Sequence, residues 1–501
     1  MIHPIRLLLP TLVLPLALAF AAEPNRWQYY AENAEGNPTN KTIITDGNWQ
    51  ICVNKLDAKT GTITLGRGQW NTGILAGSGT LDLRGTLCTV GGVEYATKKF
   101  TAEALSNYSG LEACFIDGVA TLSGGLFWNC ANLARAELSG SATKIDNAPW
   151  DPRGTFAACP KLVDLQLDFP PFTHIGSYAF GSCPCTNDIA LFCPPEVETI
   201  GNFAFYNAKA IQGHLRLEQV RTIGNEAFNG AAGLQELSIT SPNLVSIPSS
   251  SYGAQGVFYK CGGLTNFTIT APNLTSIGSG AFQYLSNINT DWSRVCPPSL
   301  TNVGWQAFIQ CTGITGRLEL PNLKGIETMA FAICSGLQEV HIGGAITNLP
   351  AWNGSNRLGL FSRCTALTNL VVDAPNFAAI GNNCFDSCSA LTDCSIASSR
   401  ALVLDGTGNF ASSKLRQVTL LTPSWTSENL DKLLSGVAAS DGEKSCTLAV
   451  DAQGDWAAVA TKAYLATETP PKPCLGVYRA ELRKAWMIPR YLASPTILYI
   501  Y

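Results

Sequence analysis

Eighteen cysteines are the most numerous candidates for redox chemistry in this chain. Eight of them each follow a regularly recurring phenylalanine by three residues, and Ala208 and Ala231 take the same place in two further units. This regularity is typical of small apolar side chains that fill one layer of a core, and aligned side chains resist disulfide geometry. We therefore predict buried, reduced thiols for these ladder cysteines, which are Cys130, Cys159, Cys183, Cys261, Cys311, Cys334, Cys364 and Cys388.

Cysteines outside the ladder are better candidates for disulfides in an exported chain. We expect Cys446 to pair with Cys474, and Cys193 or Cys296 to pair with a neighbour. Cys183-Pro184-Cys185 has the composition of a redox pair, but Cys183 belongs to the ladder and a spacing of one residue strains a bridge. We favour the structural interpretation for that tripeptide.

Motifs for metal binding or catalysis do not stand out in the sequence. His174, His214 and His341 fall in different repeat units without the paired spacing of a zinc site. No Gly-x-Ser-x-Gly elbow, phosphate loop or HExxH motif is present. Carboxylates such as Asp164, Glu236 and Glu339 precede strand residues, for which a solvated face is the ordinary explanation. We predict a non-enzymatic protein without metal or cofactor.

Three large aromatic residues lie in inserted loops and could contact a ligand. Trp150 follows Pro149, and Tyr252 and Trp352 follow a proline at short distance. Exposed aromatic rings are favoured anchors in protein interfaces and stack on sugar rings. Each ring could instead fold back to cover its own loop. The sequence leaves both interpretations open.

A repeat of about 25 residues must position all these side chains. One motif of this repeat ends in phenylalanine, as in Ile277-Gly278-Ser279-Gly280-Ala281-Phe282. Apolar residues follow six, nine and eleven positions after that phenylalanine. This L-x-x-L-x-L pattern is the strand signature of a leucine-rich repeat, whose units must stack to bury their apolar edges. The repeat phenylalanines are Phe127, Phe156, Phe180, Phe205, Phe228, Phe258, Phe282, Phe308, Phe331, Phe361, Phe385 and Phe410.

A longer period is superimposed on the repeat. Cys193-Pro194-Pro195 recurs 103 residues later as Cys296-Pro297-Pro298. The strand phrases that begin at Gly213 and Gly316 share the same one-residue insertion. Duplication of a block of four coils explains these matches. A first, degenerate unit is predicted at Leu105, because apolar residues follow it at the same three offsets.

The two ends of the chain differ from the repeats. Arg6, the apolar stretch from Leu7 to Phe20 and small residues near position 21 predict a cleaved export signal. No second apolar run of spanning length follows, so we expect no membrane span in the mature chain. We expect a signal peptide over 1–21, a β-rich N-terminal cap region over 22–104, a solenoid over 105–420, a C-terminal cap over 421–466 and a Pro-rich linker and tail over 467–501.

The phrases I-G-x-x-A-F and C-x-x-L-x-x-L-x-L resemble the BspA-like leucine-rich repeat of bacterial and protist surface proteins. The resemblance covers about residues 105–420, with departures at Cys384, where alanine is usual, and in two coils that lack the ladder cysteine. It implies a fold between α/β and mainly β, with about eleven to twelve coils, a β-rich N-terminal cap and a small mixed C-terminal cap. It also implies a secreted or surface-exposed protein that binds other proteins, host matrix or neighbouring cells, without naming the partner.

The amino-acid composition indicates which classes of partner the protein can bind. The formal net charge is −4 and only 14% of residues are charged, which argues against nucleic-acid binding. We expect an extracellular protein or glycan as the partner in an adhesion or recognition role. One alternative is a carbohydrate-binding or carbohydrate-degrading protein, suggested by Trp27, Trp49 and Trp70 in the N-terminal region. A structural envelope component is another.

Overall fold

Successive coils of the chain stack by parallel strand pairing into a solenoid, as the repeat predicts. The computed structural model describes residues 27–35, 41–66, 73–148, 152–250, 253, 255–351, 358–406, 409–410, 413–415, 417–422, 429, 446–450 and 496–500. Strands dominate these residues, so the predicted mainly β solenoid is confirmed.

The N-terminal region is a small, largely antiparallel unit that continues into the solenoid. Antiparallel pairing joins the first strands. The strand Gly79–Asp82 begins the parallel ladder by pairing with the first solenoid strand. These strands agree with the β-rich character expected for this region. The strands are β1 (Gln28–Tyr30), β2 (Ile43–Thr45), β3 (Gln50–Asp57), β4 (Thr62–Leu65), β5 (Ile74–Ala76), β6 (Gly79–Asp82), β7 (Cys88–Val90), β8 (Val93–Tyr95) and β9 (Thr97–Phe100).

The L-x-x-L-x-L phrases form the longer strands of the solenoid, and the surface that these strands share is called the main sheet. Their apolar residues point inward and the residues between them point outward. The strands are β10 (Leu111–Val119), β11 (Arg135–Gly140), β13 (Asp164–Asp168), β16 (Gly213–Leu217), β18 (Leu234–Ile239), β20 (Asn266–Ile269), β22 (Thr290–Asp291), β24 (Ile314–Leu323), β26 (Leu337–Gly344), β28 (Asn369–Asp373), β30 (Asp393–Ala397) and β32 (Gln417–Leu421).

A second ladder of two-residue strands runs along another side of each coil. Each of these strands contains the isoleucine of the I-G motif or the residue that takes its place. Strands of neighbouring coils pair in parallel. The strands are β12 (Lys144–Ile145), β14 (His174–Ile175), β15 (Thr199–Ile200), β17 (Thr222–Ile223), β19 (Ser246–Ile247), β21 (Ser276–Ile277), β23 (Asn302–Val303), β25 (Gly325–Ile326), β27 (Asn348–Leu349), β29 (Ala379–Ile380) and β31 (Val403–Leu404).

The twelve repeat phenylalanines form one continuous stack through the core. Neighbouring ring centroids lie 5.0–5.7 Å apart, from the Phe127–Phe156 pair to the Phe385–Phe410 pair. All twelve rings are essentially inaccessible to solvent. Offset-stacked rings add to the free energy gained from their burial, so this stack both holds and spaces the coils.

The turn that carries each phenylalanine has an unusual backbone. Every non-glycine residue with positive φ, apart from Asn33, lies two positions before or after a repeat phenylalanine or Leu105. Glu103 and Asn107 place Leu105 in this series, which confirms the predicted degenerate first unit. We call this part of the coil the outer turn. Its left-handed residues reverse the chain direction, although φ above zero is costly for ordinary side chains.

In two coils a short 3-10 helix takes the place of the main-sheet strand, entirely in one and after the two residues of β22 in the other. These helices are η1 (Ile189–Leu191) and η2 (Trp292–Arg294), and Asp188 and Asp291 cap their N-termini. They lie 103 residues apart, at equivalent places of the duplicated block. The following coil carries the inserted glycine, where the strand register shifts. The duplication seen in the sequence is therefore also a duplication of structure.

Near the C-terminus, β33 (Cys446–Val450) extends the sheet in parallel and β34 (Thr496–Ile500) pairs with it in antiparallel orientation. Most of the C-terminal cap expected over 421–466 and of the tail expected over 467–501 lies outside the described residues.

Candidate functional site

Outward side chains on the main sheet form the first candidate surface. Because neighbouring strands pair in direct register, their outward residues align in rows across the coils. One row joins Arg317, Glu339, Asn369 and Asp393 through the pairing of β24, β26, β28 and β30. The strand backbone therefore fixes the order of these polar groups along the solenoid.

Pairs of a basic side chain and a carboxylate occupy equivalent places on this face. Arg317 Nε lies 2.8 Å from Glu339 Oε2, and His214 Nδ1 lies 3.2 Å from Glu236 Oε2, one block earlier. Both carboxylates are partly exposed, as expected for a solvated face. Beside the first pair, burial and the charge of Arg317 lower the pKa of His341. These groups supply charge and hydrogen bonds to a ligand without forming a catalytic arrangement.

The N-terminal part of the main sheet combines arginines with an aromatic ring. The guanidinium carbons of Arg84 and Arg135 lie 5.0 and 5.5 Å from the centre of the Phe115 ring. Asp82 holds Arg84 by an ion pair of 2.7 Å and raises its pKa, while Asp164 lies 3.2 Å from Arg135. Arginine and aromatic side chains are enriched in protein interfaces. The sequence did not indicate this cluster, because its members come from separate strands.

The outer turn carries a second surface, rich in aromatic side chains. Tyr178 stacks on Phe203 at 4.8 Å between ring centres, and Tyr206 meets the Phe203 ring edge to face at 5.6 Å. Further along, Tyr259 and Tyr284 pair at 5.6 Å. Tyr206 and Tyr284 are each 36% exposed. Phe203, Tyr178 and Tyr284 occupy left-handed positions that normally favour glycine or asparagine.

Beyond these tyrosines, the outer turn holds a small apolar cluster separate from the main core. Ile309, Met329 and Ala332 are buried there, and Trp305, Ile333 and Leu358 pack against them.

The three aromatic residues predicted to contact a ligand, Trp150, Tyr252 and Trp352, lie outside the described residues. Described residues that flank two of the inserted loops in sequence contact the outer turn. Arg153 covers the Trp128 ring at 4.6 Å, and Leu358 belongs to the apolar cluster.

The ladder cysteines occupy the core, with one correction. Seven have free, buried thiols, but Cys183 is joined to Cys185 by a disulfide, so the prediction of a reduced thiol was wrong for Cys183. Aligned side chains of neighbouring coils resist disulfide geometry, whereas Cys185 lies in the same coil as Cys183. The expected pairing of Cys193 or Cys296 is also wrong, because both are buried free thiols. The expected pair of Cys446 with Cys474 lies outside the side chains that the structure describes.

Two of the tryptophans that suggested carbohydrate binding are core residues. Trp27 is 4% exposed and Trp49 is fully buried. Their indole N–H groups donate to the carbonyl oxygens of Asp82 and Thr80 at 3.0 and 2.8 Å. Satisfied, buried rings cannot stack on a sugar, and Trp70 lies outside the described residues.

Comparison with known proteins identifies the repeat. The model of the BspA type leucine rich repeat region matches residues 152–256, 254–353 and 355–427, with six copies, over more than half of the chain. The chain belongs to this family. The resemblance seen in the sequence is thereby confirmed. No curated protein matches the chain.

Several solved structures are similar to this family member. A leucine-rich repeat protein from Bacteroides ovatus is 18% identical, with a TM-score of 0.48, over 80% of this chain and 98% of that one. A leucine rich cell surface protein from Faecalibacterium prausnitzii is 16% identical, with a TM-score of 0.31, over 83% and 97%. The pneumococcal vaccine antigen PcpA is 15% identical, with a TM-score of 0.30, over 82% and 98%.

Membership of this family is consistent with a role in protein interaction. Among the described residues, no cluster of three or more His, Cys, Asp or Glu side chains is arranged to hold a metal ion. The same residues contain no helix that is both long and apolar enough to cross a membrane.

Proposed function

We propose that this protein is exported and acts without enzymatic activity at the cell surface, where it binds other extracellular proteins in adhesion or recognition. The observation that carries the proposal is the main sheet, whose outward charges are held in rows by strand pairing. An extended, ordered polar face suits another macromolecule better than a small substrate. The leucine rich cell surface protein from Faecalibacterium prausnitzii supports the proposed location.

We also propose that the outer turn and its inserted loops add a second contact region. Trp150, Tyr252 and Trp352 are the proposed ligand contacts, one in each long coil. The exposed rings of Tyr206 and Tyr284 support this, because they lie on the outer turn that each inserted loop precedes. Weak contacts at several loops would then add through effective concentration.

Binding of the purified protein to arrays of extracellular matrix proteins and of glycans tests the proposal. We expect saturable binding to one or a few proteins. Changing all three proposed contacts to alanine should weaken that binding severely, and single changes should weaken it modestly. Arg317→Ala should reduce binding through the main sheet, whereas Arg400→Ala, at an exposed position outside the rows, serves as its matched control. Binding to glycans alone would support the carbohydrate alternative, and self-assembly without a ligand would support the envelope alternative.

A further inference from the structure

The break in the main sheet at η1 leaves one edge of β13 open. Among the described strands, β13 pairs with β11 only. The amide of Asp164 donates to the carbonyl oxygen of Ala134, so backbone groups of alternate residues, Leu165 and Leu167, point away from β11. The carbonyl oxygen of Leu165 accepts a 3.1 Å hydrogen bond from Asn187 Nδ2. No described residue bonds to the amide or carbonyl group of Leu167, which is left as an unpaired strand edge.

A groove of about 400 Å³ lies along this edge. Its lining includes Leu167 together with Asn187, Leu191 and Phe192 of the next coil, and it extends to Arg84 and Glu137. Leu167 is partly exposed, although the equivalent inward residues of the preceding strands, Ile116 and Leu138, are buried. The volume falls within the usual range for ligand sites in proteins.

The groove contains polar groups that lack partners. Asn187 Oδ1 is buried and accepts no hydrogen bond from the described residues. The Asp168 side chain lines the groove, is exposed and makes no hydrogen bond or ion pair with the described residues. Leu191, at 59%, is the most exposed of the large hydrophobic side chains that the structure describes. A buried acceptor without a donor is costly, so a bound ligand that donates to it gains free energy.

We propose that this groove, called the η1 groove, binds an extended peptide segment that adds a strand to the edge of β13. The peptide backbone would pair with the amide and carbonyl groups of Leu167. A lysine or arginine of the peptide would pair with Asp168, and an aliphatic side chain would pack on Leu191. This inference rests on the proposed role in protein recognition and assigns it a mode: a basic, apolar peptide segment in extended conformation.

The equivalent break at η2 offers a contrast within the same molecule. Trp292 takes the place of Ile189 there, and its fully buried ring packs edge to face against Phe308 and Phe331. Arg294 replaces the exposed Leu191. We therefore expect peptide binding at the first break and not at the second.

Fluorescence anisotropy with a labelled heptapeptide of alternating lysine and valine tests the proposal. We expect the full-length protein to bind this peptide. The same peptide with N-methylated valine amides should fail to bind, because it cannot pair with a strand edge. A version with glutamate in place of lysine should also fail, because it repels Asp168.

Protein variants locate the site. Leu191→Gln should weaken binding about tenfold or more, whereas Val163→Gln, at a position also exposed by about half, should leave it unchanged. Leu167→Pro removes the donor of the open edge and should abolish binding. Proline is tolerated where the amide does not pair within a sheet, and circular dichroism verifies the fold of the variant.

Two results would overturn the inference. One is no binding of the heptapeptide to the wild-type protein, or equal binding of the N-methylated peptide. The other is peptide binding that Leu191→Gln and Leu167→Pro leave intact. If matrix proteins still bind the wild type in either case, the proposed function stands and only the η1 groove is rejected. If the peptide binds and no matrix protein does, the proposed function fails instead.

Discussion

At the scale of single residues, the ladder cysteines show why a buried thiol is useful between coils. Cys311 Sγ donates to the carbonyl oxygen of Phe282 in the preceding coil at 3.1 Å, and Cys261 contacts Phe228 in the same way. Seven coils repeat this contact, the first through Leu105. The thiol therefore fills space as alanine does. It also donates a hydrogen bond to a backbone carbonyl group of the preceding coil that lies inside the core.

These thiols should make the protein sensitive to alkali. Burial raises the pKa of Cys261 and Cys311 from 9.0 to about 12. Between these values the unfolded chain releases thiol protons that the folded protein keeps, so the free energy of unfolding falls as pH rises. Urea unfolding of the wild type should shift to lower midpoints as pH rises from about 9 to about 12. The Cys261→Ala, Cys311→Ala double variant should start lower and shift less.

Thiol labelling provides the control for this prediction. The ladder thiols of the native protein should not react near neutral pH, since burial disfavours the thiolate, and all should react after denaturation. Cys183 and Cys185 should react only after reduction. An equal pH slope in the wild type and the double variant would contradict the assigned role of the thiols.

Lys98 is a second residue whose burial leads to a prediction. Its side chain is 1% exposed, and its Nζ lies 2.6 Å from both Asp117 Oδ1 and the carbonyl oxygen of Gly85. Burial lowers the pKa of Lys98 even though Asp117 opposes the shift. Asp117→Asn leaves a buried ammonium without its counter-charge and should cost about 3 kcal/mol, whereas Lys98→Met should cost less, because Asp117 is partly exposed to water.

The pH dependence separates these two variants. In Asp117→Asn the unfolded chain keeps the Lys98 proton up to its ordinary pKa of 10.5, while the folded protein releases it at lower pH. The unfolding free energy of that variant should therefore rise with pH through this window, and Lys98→Met should show no such recovery. Urea midpoints at several pH values measure both. A larger loss in Lys98→Met than in Asp117→Asn would refute the assignment.

At the scale of elements, the capped 3-10 helices depend on the glycine in the next coil. Gly316 has a φ of +82°, and a Cβ atom there would lie 1.9 Å from Asp291 Oδ2, the cap of η2. Gly213 and Asp188 repeat the arrangement at η1. The one-residue insertion noticed in the sequence thus supplies the glycine that makes room for the helix cap.

Gly316→Ala should therefore destabilise the protein by about 1–3 kcal/mol, through both backbone strain and collision with Asp291. Adding Asp291→Ala should recover only part of the loss, because the strained φ remains. Gly262→Ala is the matched control, since a Cβ there meets nothing within 4 Å. Chemical denaturation of the wild type, Gly316→Ala, Asp291→Ala and the double variant completes the cycle, and strict additivity of the two changes would show that the cap and the glycine are not coupled.

At the scale of the whole molecule, each coil contacts mainly its neighbours, so damage should stay local. Phe282 stacks between Phe258 and Phe308 at 5.3 and 5.2 Å. Phe282→Ala should leave a cavity and cost roughly 3–5 kcal/mol in nearby coils. Hydrogen exchange should then show lost protection near residues 258–308 and retained protection near both ends, since repeat arrays unfold in parts.

Tyr284→Ala, at an exposed ring two residues away, should change protection little and serves as the control. If Phe282→Ala instead shifted the entire chain in one uniform cooperative transition, the coils would be coupled more tightly than nearest-neighbour contacts allow.

The sequence by itself determined the solenoid, the core positions of the phenylalanine stack and the cysteine ladder, and the duplicated block. These features are periodic, and a stack of like coils places like positions against one another. Leu105 was predictable for the same reason, although it lacks the phenylalanine.

The tertiary structure alone decided which non-periodic residues meet. In the core, the indole N–H groups of Trp27 and Trp49 donate hydrogen bonds to backbone carbonyl groups. Cys183 forms a disulfide with Cys185 of its own coil. The η1 groove exists because the next coil forms no strand that pairs with β13. No local sequence pattern predicts this missing partner. Such contacts join residues that differ from coil to coil, so their partners are fixed only when the chain packs.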